Sequence, residues 1–513
     1  MSETTPGPRL TRRHAILGGG AVLGGAAVAA GGYALGRAAA AAEASDDPAG
    51  KTHRFVSRPD LPAPVVATER RGATAPGYLF LTVGGRGPLV VDDAGHPVWF
   101  RPARGPDAVA VNAQVHRYRG EPVLAWWEGA VDRSTGVGAG EFVIVDARYR
   151  EVARVRTPDG GVPADHHDLV LTDAGTAMFW VYEPVPADLS AVGGPPDGTL
   201  YDNVIHEVDV ASGRRVWQWN ARDHVRLDES YAAAPTGDRR HLPYDFFHAN
   251  SLAVEPDGSV LASARHTWAV YRIDRRSGAV RWRLGGRRSD FRSGPGAEFS
   301  WQHDARRRSD GTLGLFDNAA GITRQADRSR GLVLALDETS RTATLVRELH
   351  YPRPLSAPTQ GGLQELPGGA SLVGWGEQPY LSEHGPDGGV RLTARMPAEF
   401  GSYRAYRHRW AGSPEEPPAI ALRAGGQQAV RVHLSWNGAT ALARWRVRAG
   451  MQPQALGVAA EAERQGFETT VTVARPLAYV AADALDAAGR VLGSTRLLPV
   501  APPARRTSRA GEP

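Results

Sequence analysis

Three histidines stand just before, or at the opening of, short strand-like runs at widely separated points of the chain. They are His167 in Asp165-His166-His167-Asp168-Leu169, His248 in Phe246-Phe247-His248-Ala249-Asn250-Ser251 and His303 in Trp301-Gln302-His303-Asp304-Ala305. Imidazole is the side chain whose ordinary titration lies near neutral pH, so such positions suit a nucleophile, a proton carrier or a metal ligand. Asn250 stands close behind His248, and Arg265, in Ser263-Ala264-Arg265-His266-Thr267, follows one apolar run later. A single histidine of this kind is more often structural, held by a turn carbonyl. Three of them with an asparagine and an arginine, all in phase with a repeat, point to one shared pocket. Zinc or copper is the competing occupant for three histidines. Arg265 argues against it, because a permanent cation beside a dication is costly, whereas it suits an anionic ligand. Asp168 and Asp304 directly follow two of the histidines; either could orient an imidazole, although turn capping is the simpler reading. Trp268, Trp301 and Phe247 suit either a slot for a planar ligand or packing between strands.

Distant residues meet in this way only if a repeated element brings each to the same place. One phrase recurs: an apolar strand, a turn with Asp and often Gly, then a strand often carrying Trp. It appears at Val90-Val91-Asp92 leading to Trp99, Val145-Asp146 to Val155, Val208-Asp209 to Trp217, Ile273-Asp274 to Trp282, Leu336-Asp337 to Thr344, and more loosely around Asp387-Gly388-Gly389. The copies begin roughly 50 to 65 residues apart, the spacing of four-stranded propeller blades with long loops. A second phrase, a polar Gly turn before an apolar strand, interleaves at Asp173-Ala174-Gly175, Asp257-Gly258, Asp310-Gly311 and Gly368-Gly369. Gly and Asp accept the positive φ of hairpin turns. Packed β-sandwiches would use the same turns, but two alternating phrases with one period favour an all-β, six-bladed β-propeller. Its innermost strands would bring the histidines to one channel mouth.

Composition agrees with this fold class. The 513 residues include 60 Gly, 38 Pro and 13 Trp, suited to short strands and tight turns. Sixty basic against 55 acidic residues give a formal charge of +5, and the arginines are dispersed among acids. That distribution gives no basic patch of the kind nucleic acid requires, so no nucleic-acid partner is expected. With no cysteine, disulfides, thiolate metal sites and cysteine nucleophiles are excluded. Thr11-Arg12-Arg13 ahead of the Gly/Ala-rich run Ala15 to Leu35 predicts a twin-arginine-type signal peptide or anchor over residues 1–45. The expected location is therefore extracellular or in the cell envelope, with membrane contact only through that segment if it is not cleaved. A linker is expected over 46–74, the propeller over 75–410, and a small C-terminal immunoglobulin- or fibronectin-type β-sandwich over 419–500, where Val430 to Trp436 and Thr469 to Val473 alternate. A disordered tail is expected over 501–513.

The phrases around the histidines resemble the bacterial arylsulfotransferase family over roughly residues 75 to 410. The carrying motifs are His248-Ala249-Asn250-Ser251, Ser263-Ala264-Arg265, Trp282-Arg283-Leu284-Gly285-Gly286, Gln302-His303-Asp304, Phe316-Asp317-Asn318, Ser329-Arg330-Gly331, Gly374-Trp375-Gly376 and Ser402-Tyr403-Arg404-Ala405-Tyr406. The resemblance implies a six-bladed propeller that moves a sulfuryl group from a phenolic sulfate ester to an acceptor phenol, without an adenosine phosphosulfate donor, cofactor or metal. It implies that His303 becomes transiently sulfated in a ping-pong cycle. It further implies that His248, Asn250, Arg265 and His167 hold sulfuryl oxygens or handle the phenolic proton; since a departing phenolate benefits from a proton, His167 is the candidate donor. The chain departs from the better-characterised branch in carrying its sandwich at the C-terminal end and in lacking cysteine. A metal-dependent propeller hydrolase or lactonase, and an anion-binding propeller without turnover, are the alternative functions.

Overall fold

The structure, a computed structural model, describes residues 51–105, 107–397, 401–426 and 428–501. The expected export segment 1–45 and all of the expected tail except Ala501 lie outside the described residues. The protein is all-β, with largely antiparallel sheets and only short 3-10 turns between strands. No helix among the described residues is long and apolar enough to cross a membrane.

Six sheets of four or five strands follow one another between residues 67 and 408. The first takes Tyr406–His408 from the far end of this region, pairing it with Tyr78–Leu81, Leu89–Val91 and Pro97–Phe100. The second runs from Val109–Tyr118 to Glu151–Val155, the third from Leu169–Leu171 to Arg215–Asn220, and the fourth from Ala249–Val254 to Val280–Gly285. The fifth runs from His303–Arg307 to Thr342–Leu349 and the sixth from Gly362–Glu365 to Val390–Arg395. Each sheet touches the next and the sixth touches the first. The series is thus closed, and the strand Tyr406–His408 stitches the end of the region to its beginning.

Alternation along the strands explains the stacking. In the first sheet Phe80 and Val90 face the second sheet's Leu124 and Trp126, whereas Leu79 and Leu89 face the sixth sheet's Leu372 and Leu381. Trp127 lies on the opposite face from Trp126 and packs towards Phe179 of the third sheet. Similar apolar layers lie between the third and fourth, fourth and fifth, and fifth and sixth sheets. Because both faces of every sheet are covered, the strands read as nearly continuous apolar runs, and period-two patterning is muted.

The first sequence phrase proves to be the turn between the third and fourth strands of each sheet. In all six, the aspartate Oδ1 accepts a backbone N–H two or three residues on, at 2.8 to 3.0 Å: Asp92, Asp146, Asp209, Asp274, Asp337 and Asp387. The second phrase joins the first two strands of the third to sixth sheets. In the second sheet that turn is instead Arg119-Gly120, with φ of 53° and 85°.

Residues 46–74, read as a linker, hold structure from their described part onward. Ala67–Arg70 pairs with Val390–Arg395 as a fifth strand of the sixth sheet, and Leu61, Ala63 and Val66 are buried in the layer between the sixth and first sheets. Beyond Pro418 two further antiparallel sheets share one core. Val432 and Leu434 come from one, Trp445, Val447 and Val480 from the other.

Candidate functional site

The site lies where the first strands of successive sheets begin. His167 precedes Leu169–Leu171, His248 precedes Ala249–Val254, and His303 opens His303–Arg307. Arg265 occupies the connection between the second and third strands of the fourth sheet. The imidazoles of His167 and His248 meet edge to face with centroids 5.1 Å apart, and His248 lies 4.6 Å from His266. His303 lies within electrostatic reach of Arg265, His248 and His167. The structure therefore brings His167, His248, Arg265 and His303 together. Asn250, though fully buried, is committed differently: its Nδ2 donates to the Gln302 carbonyl at 2.8 Å, while its Oδ1 has no partner among the described residues.

Each imidazole is oriented by a specific partner. Nδ1 of His167 bonds Asp165, and Nδ1 of His248 donates to Asp245 Oδ2 at 2.5 Å. Nδ1 of His303 lies 2.8 Å from Asn318 Oδ1. The Asn318 amide cannot be turned round, because its Nδ2 donates to the carbonyls of Ala357 at 2.7 Å and Gln360 at 3.0 Å. The oxygen must face His303, so the imidazole proton sits on Nδ1 and Nε2 keeps its lone pair. Nδ1 of His266 donates to the Asp245 carbonyl at 2.5 Å, and its Nε2 accepts from Arg265 Nη1 at 2.9 Å. Arg265 Nη2 donates to Pro358 O at 3.1 Å, while its Nε is buried with no partner among the described residues.

Burial sets the charge states. It pushes His303 well below the usual imidazole range, with Arg265 adding to the effect. Burial likewise holds His248 well below that range and lowers His167 despite Asp165, and it takes His266 down to about 3. These imidazoles are neutral at pH 7. Burial raises the Asp165 carboxyl, but the imidazoles of His167 and His166 outweigh it and hold the group well below the carboxylate range. Burial raises Asp245. It also lowers Arg265, to about 10, against the pull of Asp245 and Glu377. The backbone is strained at this place: His248, Trp268 and Trp301 have φ of 52°, 50° and 56°, conformations that side-chain-bearing residues adopt at a cost of about 1–3 kcal/mol.

Asp168 and Asp304 do not orient the imidazoles beside them in sequence. Asp168 accepts from the N–H groups of Leu169 at 3.0 Å and Leu252 at 2.7 Å, and it pairs with Arg306 and the fully buried Arg404. Asp304 accepts from Leu363 N at 3.1 Å and pairs with the same two arginines. Arg404 Nη2 also reaches the Asn250 carbonyl at 2.6 Å, so this buried network ties the innermost strands of several sheets together. Asp165 and Asp245, which do orient imidazoles, stand two and three residues before their histidines. An aspartate at that spacing, followed by a histidine at the start of a repeat, was the available sequence signal.

Trp301 lies under the Arg265 guanidinium, 5.0 Å from ring centroid to Cζ. Trp268 stands edge-on to Trp301 at 5.2 Å and is stacked on Tyr231 at 3.6 Å. Phe247 is a packing residue of the layer between the third and fourth sheets. Asp165, His166 and His167, and likewise Asp245, His248 and His266, place potential metal-ligand atoms within 4.8 Å of one another. In the second group both nitrogens of His266 are engaged, one by Arg265, whose charge opposes a dication there.

Among solved structures, the chain is similar to a protein of unknown function from Bacteroides caccae, with 13% identity, 64% of this chain and 98% of the other covered, and a TM-score of 0.39. It is also similar to a periplasmic gluconolactonase from Pseudomonas aeruginosa, at 15% identity, 78% and 99% coverage and a TM-score of 0.35. For virginiamycin B lyase from Staphylococcus aureus the values are 10%, 72%, 94% and 0.33. At such scores none of these likenesses bears on function. A search of curated protein sequences finds no match. Residues 114–397, more than half of the chain, match the arylsulfotransferase (ASST) family. They hold every histidine and the arginine of the site, and the chain belongs to that family.

Proposed function

We propose that the chain transfers the sulfuryl group of a phenolic sulfate ester to an acceptor phenol through His303, at the mouth of a six-bladed propeller. The observation that carries this reading is the Asn318 contact, which leaves a neutral His303 with an unprotonated Nε2 beside Arg265. Family membership supports sulfotransferase chemistry at the level of the class.

In the first half-reaction the Nε2 lone pair forms an N–S bond while the S–O bond to the aryl group breaks. The electron pair leaves on the phenolate oxygen, whose parent phenol has a pKa of about 10 and so benefits from a proton. His167 supplies that proton from its imidazolium form, the minor form of this buried ring at pH 7, which Asp165 stabilises. In the second half the acceptor oxygen attacks sulfur, the N–S pair returns to Nε2, and the phenolic proton passes to His167. The buried Nε–H of Arg265, without a partner among the described residues, donates to the sulfuryl oxygens, as charge-stabilising donors do in phosphoryl transfer; His248, whose neutral ring gives its Nδ1 proton to Asp245, adds a second donor only when Nε2 is protonated. Asn250, expected to bind substrate, acts in this reading through Gln302, whose carbonyl it holds next to His303.

The test is incubation with an aryl sulfate alone. Mass spectrometry should find a sulfuryl adduct on the His303 peptide, released by adding phenol, and His303→Ala should abolish both halves. Sequential kinetics, or activity that survives the substitution, would refute the assignment. The two Asp/His groups favour one other reading, a metal-dependent hydrolase. Acceptor-independent release of phenol that is lost on chelation would establish it.

A further inference from the structure

Glu377 takes no part in the chemistry above, yet it is built into the same mouth. It occupies the connection between the second and third strands of the sixth sheet, the position that Arg265 occupies in the fourth. Both side chains are anchored to one dipeptide: Arg265 Nη2 donates to Pro358 O at 3.1 Å, and Glu377 Oε2 accepts from Thr359 Oγ1 at 2.8 Å. The Glu377 backbone N–H also donates to Thr359 O, at 3.3 Å. Gly376, with φ of 61°, makes this approach possible, since a Cβ there would collide with the Thr359 carbonyl. Glu377, itself half-buried, is thus held on the same dipeptide as the cation that the sulfuryl group needs, within reach of its charge.

We propose that Glu377 is a specificity-determining residue: its carboxylate competes with the ligand for Arg265, so that the centre takes one negative charge and Glu377 takes up a proton as the ligand binds. The proposal rests on the reading that Arg265 holds the sulfuryl oxygens. Burial pushes the Glu377 carboxyl up to about 7, although Thr359 and Arg265 pull it down. An anion placed on Arg265 removes that pull and adds a like charge, so the carboxyl rises further and protonates. Ligand affinity therefore falls as pH rises through 7. The other groups facing Arg265 do not supply this change. His266, His248 and His303 are already neutral, Tyr182 is held well above the usual phenol value, and Arg265 itself loses its proton only near 10. Asp245, which also faces Arg265 and is raised by burial, and His167, the proton carrier of the reaction, are the remaining candidates and serve as controls.

The probe is benzenesulfonate, a monoanion whose sulfur is bonded to carbon and is not transferred, titrated calorimetrically into the full chain. Affinity of the unsubstituted protein should fall about tenfold from pH 6 to pH 8, as expected when only the protonated form of a group with pKa near 7 binds. Glu377→Gln, which keeps a side-chain acceptor for Thr359, should bind with the same affinity at both pH values. At pH 8 it should also gain more affinity for phenyl phosphate, a dianion, than for benzenesulfonate. A flat profile in the unsubstituted protein, or a slope that persists in Glu377→Gln, whether it vanishes in Asp245→Asn or in His167→Gln, overturns the proposal and leaves the anion reading standing. Absence of binding, or unchanged binding in Arg265→Met, overturns both.

Discussion

An imidazole attacks sulfur only from a nitrogen that carries no proton, and in His303 Asn318 selects that nitrogen. The partners differ with the work assigned to each ring. His167 and His248 face carboxylates, which favour a positively charged ring, whereas His303 faces a neutral amide, which does not. Replacing Asn318 by Asp should therefore raise the basicity of His303 and move the acidic limb of the kcat/KM profile towards neutral pH. Asn318→Leu, which removes the tautomer choice, should lower kcat/KM by about 100-fold or more, within the range such proton-positioning groups command. Asp165→Asn should penalise donors with poor leaving phenols more than p-nitrophenyl sulfate, measured as a steeper dependence of rate on phenol pKa. The histidines and Arg265 were legible in the sequence because each sits in phase with the repeat. Their partners were not, because the nearest aspartates, Asp168 and Asp304, turn away to Arg306 and Arg404. Asn318 reaches His303 only across a strand pairing, between His303 and Phe316, that no local pattern announces.

At the scale of the strand and turn, aspartate does what the sequence phrase suggested: its short side chain accepts the N–H groups that a tight turn leaves unpaired. This regularity made four-stranded units visible one after another. The two places where the phrase fails have physical causes. Arg119-Gly120 closes a hairpin with no aspartate, and the first sheet borrows Tyr406–His408 from some 300 residues away, which no local spacing can show. Turns and layers should also differ in energetic weight. Asp274 accepts from Arg276 and Ser277 at an exposed turn, so Asp274→Ala should cost little. Trp180 is fully buried between the third and fourth sheets, so Trp180→Ala should cost about 3–5 kcal/mol. Denaturant unfolding of the two variants, compared at equal m-values, tests that ordering.

For the whole molecule, the question is what the C-terminal unit does for a site it does not touch. We propose that residues 419–500 form a sandwich that protects the outer edge of the first sheet. Pro97–Phe100 is the edge strand there, and an uncovered edge offers unpaired N–H and C=O groups to other chains. Asn437 pairs with both backbone groups of Phe100, at 2.9 Å each, and Gly438 N donates to Val98 O at 2.8 Å. Tyr149, stacked on Trp99 at 4.8 Å, donates its hydroxyl to Gly438 O at 3.0 Å. Glu468 holds the backbone of Ser57 from the other side, at 2.6 Å. No group of the histidine centre takes part in these contacts. A chain ending at Pro418 should therefore keep acceptor-dependent activity per folded molecule while losing solubility and thermal stability. Asn437→Ala in the full chain removes two edge hydrogen bonds, each worth about 1 kcal/mol, and should lower the unfolding temperature without altering kcat/KM. Light scattering during a thermal ramp, read alongside turnover of an aryl sulfate with phenol, separates the two effects. Loss of activity in Asn437→Ala at full folding would show that the C-terminal unit acts on the site and not on the edge.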